Sequence, residues 1–361
     1  MKKEARQTDA AWVKGLLGWF RCHQRAMPWR DHPDPYAVWI SEMMLQQTQV
    51  STVMPYFERF MARFPSVQAL AKEALSDVLR LWEGLGYYAR ARNLHKAAGI
   101  IVQQHAGQLP ASAAALQDLP GFGPYSAAAV ASICFNEPVS VLDGNVMRVL
   151  ARLLRLHGDV RRPAVRRKMI DYLDVHIPKK NPGGFNQAMM ELGALVCRPR
   201  RPQCGQCPLA VVCLAFQAGE AEQLPEKKAR KKTPVVGRAA VWVCRQDRVL
   251  VVRRGASAML GGLWELPSVD ILPGESPSAA AIRAARERAG VKVAIIGHAG
   301  RERQVYSHFE LKLHIFKARR MSGRLHAQPG EAVQWLALDA LDTLPFDNAS
   351  RRVLTRLSKE L

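Results

Sequence analysis

Leu119-Pro-Gly-Phe-Gly-Pro-Tyr-Ser-Ala-Ala-Ala-Val130 lies between two stretches with helical spacing of apolar residues. Gly121 and Gly123 permit a tight turn and let backbone amides approach an anion closely. The helix that follows adds its N-terminal amides and the positive end of its dipole. A Gly-x-Gly turn alone is commonplace. Two helices joined by such a turn give a unit able to hold a phosphate.

Working outward, the next informative stretch is Cys197-x6-Cys204-x2-Cys207-x5-Cys213. Four thiolate donors in one short segment can wrap a compact metal centre, and the set suits either zinc or a [4Fe–4S] cluster. Arg198, Arg200 and Arg201 stand between the first two cysteines. Arginines displayed by a metal loop point to phosphate contact rather than to catalysis. Cys22, Cys134 and Cys244 are scattered in apolar surroundings. Seven cysteines so distributed read as a metal cluster plus buried free thiols in a reducing compartment, not as a disulfide framework.

The chain has 361 residues, with 52 Lys+Arg against 31 Asp+Glu and a formal charge of +21. Such an excess favours a polyanionic partner, nucleic acid or an anionic membrane surface. No apolar run approaches the ~20 residues of a membrane span. The start, MKKEARQTDAAW, does not read as a secretory signal.

Residues 1–216 read as helical, as in ALSDVLRLWEGL, NLHKAAGIIVQQ and SAAAVASICF. Asp34-Pro35 sets a capping side chain before a proline at the first helical position, so a helix carrying Glu42 opens there. Gln217 to Gly237, polar and charged with prolines, reads as a linker. Beyond it, 238–361 reads as α+β. RAAVWVCRQDRVLVVRR gives two strands about a polar turn. VYSHFELKLHIFKARR alternates like one strand, and Ser276-Pro277 opens a helix through Ala289.

Two carboxylates sit in telling surroundings. Glu42 is an acid among apolar residues in WISEMMLQQTQV, and Asp143 precedes an apolar periodic run in VLDGNVMRVLAR. Taken alone, Glu42 fits a solvated helix face and Asp143 a helix cap.

The cysteine spacing and LPGFGPYSAAAV resemble the endonuclease III superfamily of helix-hairpin-helix DNA glycosylases. SEMMLQQTQV and LDGNVMRVL resemble the MutY family of adenine DNA glycosylases, a resemblance covering nearly all of the chain. It implies an all-α N-terminal helix-hairpin-helix glycosylase domain with an iron–sulfur loop, followed by an α+β Nudix-like domain. It also implies a [4Fe–4S] cluster on Cys197, Cys204, Cys207 and Cys213, and a hairpin, Gly121 and Gly123, that grips phosphate. The partner implied is double-stranded DNA with A:8-oxoguanine or A:G mispairs. A monomer, nucleoid-associated in a bacterial-type cytoplasm, goes with it.

Roles follow from the same resemblance. Glu42 would protonate the adenine, aided by a carboxyl pKa raised by Trp39, Met43 and Met44. Asp143 would stabilise the sugar cation, with Asn145 and Tyr125 holding it and the sugar in place. Arg25, Trp29 and Gln187 would surround the flipped adenine, and Gln47, Thr48, Leu85 and Tyr87 would fill and hold the opened stack. Tyr125 stands where strand-cleaving members carry a Schiff-base lysine. That counts against the alternative, an endonuclease III-type glycosylase/lyase for oxidised pyrimidines. A DNA-binding iron–sulfur protein without activity is a third reading, opposed by the retained carboxylates.

GGLWELPSV (261–269) and GESPSAAAIRAARERAGV resemble a Nudix domain. Active members hold magnesium with several glutamates. Here the expected Arg-Glu and Glu-Glu pairs read Arg283-Ala284 and Glu287-Arg288, which makes hydrolysis improbable. The resemblance assigns reading of the 8-oxoguanine to Tyr306, Ser307 and His308.

Overall fold

Asp34 opens the helix Pro35–Leu45 by accepting from the amides of Tyr36 and Ala37, with proline in the first turn. The computed structural model describes residues 2–30, 34–226 and 233–360. Within that helix every residue from Tyr36 to Met44 is buried. A helix apolar on all sides belongs in the centre of a domain. Glu42 is therefore not on a solvated face, and its carboxyl lies in the interior of the first unit.

The described residues form two units. The first takes 1–72 and 93–230, the second 73–92 and 231–361. Helices dominate the first. Pro124–Phe135 packs on Pro35–Leu45, on Ala113–Gln117 and on Pro182–Leu195, which in turn packs on Gly144–Leu153. Helix Pro182–Leu195 comes close because Gly193 has no side chain. A Cβ there would lie 2.6 Å from that of Asn145.

In the second unit the sheet runs Trp264–Glu265, Arg248–Arg253, Val235–Arg245, Glu310–Gly323, Val291–Val305. Val235–Arg245 pairs parallel with Glu310–Gly323 and antiparallel with its hairpin partner. Its core is continuous rather than alternating. Ala240 and Trp242 face one apolar cluster, Ala239, Val241 and Val243 the other. Both faces are covered, as the unbroken run AAVWV requires. Helix Pro277–Ala289, capped by Ser276, lays alanines on one face. Helix Asn348–Leu357, capped by Asp347, covers the other.

Four expectations need correction. Cys22, Cys134 and Cys244 are not buried thiols: Cys22 is exposed and the other two are partly exposed. VYSHFELKLHIFKARR is not one strand. Val305 pairs with Glu310 across the turn Tyr306–Phe309, closed by the Tyr306 amide donating to the Phe309 carbonyl at 2.9 Å. The stretch expected as linker is only partly one: Ala221 and Leu224 are buried, and Leu224 accepts from Arg152 Nε at 2.9 Å. Residues 227–232 of that stretch lie outside those described. Finally, residues 73–92 belong with the second unit, although they fall inside the helical half of the sequence.

Candidate active site

Glu42 meets Tyr125 across two packed helices. The Tyr125 hydroxyl donates to Glu42 Oε2 at 2.8 Å. Burial pushes the Glu42 carboxyl up to about 7; the Tyr125 bond opposes, the Asp143 charge assists and Arg30 opposes. Tyr125 is itself raised well above the ordinary tyrosine range, first by burial and then by the two carboxylates. An acid of this kind is half protonated near neutrality, where a general acid works best.

Asp143 does cap a helix: its Oδ1 accepts from Val146 N at 2.7 Å. Its other oxygen, Oδ2, accepts from Asn145 Nδ2 at 3.1 Å. Burial raises its pKa, while the Val146 and Asn145 bonds and the Arg148 charge pull the other way. The helix cap is thus a carboxylate whose second oxygen is held by Asn145. Asn145 holds Asp143, whereas Tyr125 is bonded to Glu42. Arg148 continues the line, donating to Asn145 Oδ1 at 2.8 Å and to the carbonyls of Cys197 and Gly193, both at 2.8 Å.

Glu42, Tyr125, Asp143, Asn145, Arg25, Trp29, Thr48 and Gln187 line one cavity of about 680 Å³. Trp29 is buried and set edge-on to Phe57 at 4.9 Å. Arg25 does not stand free. Its Nε and Nη2 grip Glu191 at 2.8 and 2.9 Å, and Arg30 Nη2 adds a contact at 3.0 Å. Burial works against the Glu191 charge, but the Arg25 and Arg30 hydrogen bonds overcome it and hold the carboxyl at about 2. Neither Glu191 nor Arg30 was singled out from the sequence. The available signal was Glu191 on the same helix as Gln187, one turn on. A larger open groove of about 1100 Å³ shares Trp29, Arg30, Ile133 and Gln187, but no carboxylate lines it.

The hairpin is held against the Glu42 helix by Phe122, stacked on Trp39 at 5.4 Å. Gly121 has φ +87°, and a Cβ there would lie 2.9 Å from Asn93 Cβ, so only glycine fits. The Gly123 amide donates to Ser126 Oγ at 3.0 Å. A Cβ at Gly123 would meet nothing within 4 Å, so the space beside its Cα is open.

The four loop cysteines line a small cavity of about 20 Å³ together with Arg152. Arg152 is 2 % exposed; its Nη1 lies 3.2 Å from Cys197 Sγ and donates to the Arg198 carbonyl, while its Nη2 is buried without a hydrogen-bond partner among the described residues. Burial and mutual repulsion push Cys204 and Cys213 up, and Cys207 to about 12. Four such thiols ionise together only around a cationic centre, and a buried guanidinium with a spare N–H suits a centre of net negative charge. Among the described residues no group of three or more His, Cys, Asp or Glu side chains is drawn together as around a bound metal ion. Arg198, Arg200 and Arg201 are exposed, Arg201 with φ +49°.

Gln47 sits at φ +60° in the turn after the Glu42 helix, outside the residues lining the cavity. Leu85 and Tyr87 belong to the second unit, Leu85 buried and Tyr87 44 % exposed. In that unit Ser307 and His308 are exposed at the hairpin turn. Tyr306 turns inward, its ring 5.0 Å from Phe309, beside a cavity of about 260 Å³ that Arg254 and Asp347 also line. The acids left in the Nudix-like part are engaged by arginines. Arg288 donates to Glu265 and Glu331 at 2.9 Å, and Arg283 holds Glu275 and Glu287.

An acid set among apolar residues, a helix-capping carboxylate and a glycine hairpin thus lie on one helical unit. Residues 40–173 match the HhH-GPD superfamily of base excision DNA repair proteins, and residues 238–356 match a NUDIX domain. Adenine DNA glycosylase of Mus musculus is 34 % identical over 95 % of this chain and 77 % of its own; that of Homo sapiens is 34 % identical over 94 % and 72 %. An adenine DNA glycosylase of Buchnera aphidicola is 39 % identical over 60 % of this chain and 62 % of its own. For fold alone, a thermostable thymine-DNA glycosylase aligns with TM-score 0.54 at 24 % identity, over 59 % of this chain and 99 % of that one. The chain belongs to the adenine DNA glycosylase family. No helix among the described residues is long and apolar enough to cross a membrane.

Proposed function

We propose that the protein excises adenine paired with 8-oxoguanine or guanine in duplex DNA, without cutting the strand. The observation that carries this is the buried Glu42 carboxyl, near half-protonated at neutral pH, in one cavity with Asp143. Glu42 gives its proton to a ring nitrogen of the flipped adenine. The C1′–N9 bond breaks and its electron pair leaves with the base. Asp143, fixed by Asn145 and the Val146 amide, stabilises the sugar cation until water adds at C1′ and a proton returns to Glu42. Arg25, held by Glu191, and Trp29 hold the base. Gln47, Thr48, Leu85 and Tyr87 occupy or brace the vacated stack, and the hairpin and loop arginines hold phosphates. A monomer acting on nucleoid DNA in the cytoplasm goes with this reading.

A labelled duplex with A:8-oxoguanine, incubated with the protein and then treated with alkali, tests it. The expected result is a break at the adenine only after alkali. Cleavage without alkali would make the protein a lyase, and no cleavage would remove the activity.

Cys197, Cys204, Cys207 and Cys213 would hold a [4Fe–4S] cluster, with Arg152 offsetting its charge. Bound, the cluster would fix the loop that displays Arg198, Arg200 and Arg201. Purified protein should contain about four irons per chain. One zinc per chain and no iron would assign the loop to zinc.

We assign partner-base reading to the turn Tyr306-Ser307-His308, where Ser307 and His308 are free to donate and accept. Ser307→Ala with His308→Ala should lower the preference for A:8-oxoguanine over A:G by about tenfold or more, since contacts to a base edge are worth ~1–3 kcal/mol each. Single-turnover excision on both duplexes measures it, and an unchanged ratio would move the reading elsewhere.

A further inference from the structure

Residues 73–92 carry Tyr87, yet they pack with the second unit, and the contacts that hold them meet at one place. Glu83 Oε2 accepts from the backbone amide of Phe346 at 3.1 Å. The Tyr88 hydroxyl donates to the carbonyl of that same Phe346 at 3.4 Å and lies 3.3 Å from Asn348 Oδ1. Arg351 closes on Glu83 with Nη2 at 3.0 Å from Oε2, and also donates to the carbonyls of Leu341 and Leu344. Arg92 Nη1 reaches the Gly261 carbonyl at 3.0 Å. Glu83, Tyr88 and Arg92 are each more than 160 residues from these partners in the chain, so the contacts are tertiary ties and not a local turn.

Between Glu83 and Tyr88 the backbone is wound tightly. Gly84, Gly86 and Tyr87 all have positive φ, of +101°, +75° and +50°. For tyrosine that conformation is strained, and it persists only where the flanks are fixed. Both flanking side chains grip Phe346. Phe346 is fully buried in the apolar cluster against which Tyr306 and Phe309 pack. Those two residues bracket Ser307 and His308. One packed path therefore leads from the exposed Tyr87 through Glu83 and Tyr88 to Phe346, and on to the turn assigned above to the partner base.

We infer that Glu83 and Tyr88 are positioning residues that tie the Tyr87 loop to the Nudix-like unit, so that recognition of the partner base sets the loop that enters the stack. The inference rests on the reading roles proposed for Ser307, His308 and Tyr87. It makes Glu83 and Tyr88 determinants of mispair specificity although neither need touch DNA. Coupling of this kind requires a contiguous packed element that both ends bias, and the buried Phe346 is that element.

The test uses the full chain, with 2-aminopurine beside the target adenine reporting base flipping and single-turnover excision measured on A:8-oxoguanine and A:G duplexes. Glu83→Gln removes the charge that Arg351 holds. Tyr88→Phe removes only a hydroxyl and keeps the core, so thermal melting should stay close to that of the unaltered protein. Each should cut the A:8-oxoguanine preference by about tenfold, with slower flipping on the lesion duplex. Combined with Ser307→Ala and His308→Ala, neither should lower the ratio further, because the two ends act through one path. Ratios that multiply would mean independent contributions and overturn the coupling. So would an unchanged ratio in both Glu83→Gln and Tyr88→Phe while the turn variant loses preference. If the turn variant alone keeps full preference, the reading role fails first, and that outcome is distinct from failure of the tie.

Discussion

Glu42→Gln should abolish adenine release, by roughly a thousandfold or more in single-turnover rate, while binding to the mispaired duplex stays near normal. Glutamine keeps the shape and can still accept from the Tyr125 hydroxyl, but it has no proton to give. The pH profile of the unaltered protein carries the same information. With the carboxyl at about 7, the protonated fraction falls as pH rises through 7, and the rate should fall tenfold per pH unit above it. Stability also falls with pH, but over a lower window. Glu42 is raised above its ordinary value, so the unfolded chain ionises first; the cost to the folded chain builds from about 4.5, is complete at about 7 and is constant above it. Glu42→Gln should then be more stable than the parent at pH 8, by on the order of 3 kcal/mol, and nearly equal to it at pH 4. A variant that excises at a near-normal rate would return Glu42 to a structural role.

Asp143→Asn should be about as inactive, for a different reason, and it separates the two duties of one side chain. Asparagine is as good an N-cap as aspartate, so the bond to Val146 survives and stability should change little. What disappears is the negative charge that the proposed mechanism sets against the sugar cation. Removal of a preorganised electrostatic contact typically costs a hundredfold to a thousandfold, and losing a full charge in a buried site lies at the upper end. Asp143→Ala is the companion measurement. It loses charge and cap together, and should melt lower by about 1 kcal/mol of helix stability while being no less inactive than the asparagine variant. If Asp143→Asn retained most activity, the group would be a cap alone.

The local rules carried a good part of this into the sequence. Asp34-Pro35 and Ser276-Pro277 open helices as their capping chemistry dictates. AAVWV reads correctly as a strand. Failure came where phase and distance mattered. Apolar residues at 305, 309, 311, 313 and 315 keep one alternation, so the text looks like a single strand. In space Val305 is exposed while Leu311 and Leu313 are buried, because the turn switches the face. Alternation cannot register a turn that preserves its own pattern.

The site divided along the same line. Motif resemblance brought Glu42, Asp143 and Tyr125 into view, and the geometry adds who holds whom. Tyr125 serves Glu42, not Asp143, and Glu191 with Arg30 secures Arg25. Glu191 is a single acid on a mostly apolar helix, and its partners lie 161 and 166 residues away. No periodicity marks such a pair. The allegiance of residues 73–92 was equally hidden, since amphipathic helical spacing states that a face is buried but not against what.

Arg288 stands between Glu265 and Glu331, where an active relative would need acids around a magnesium ion. A guanidinium on a helix is a counter-ion that cannot diffuse away. Glu265 and Glu331 are thus joined by a charge built into the chain rather than by a borrowed ion. With the proposed cluster on the cysteine loop, oxidants and chelators should wear on that half of the chain first.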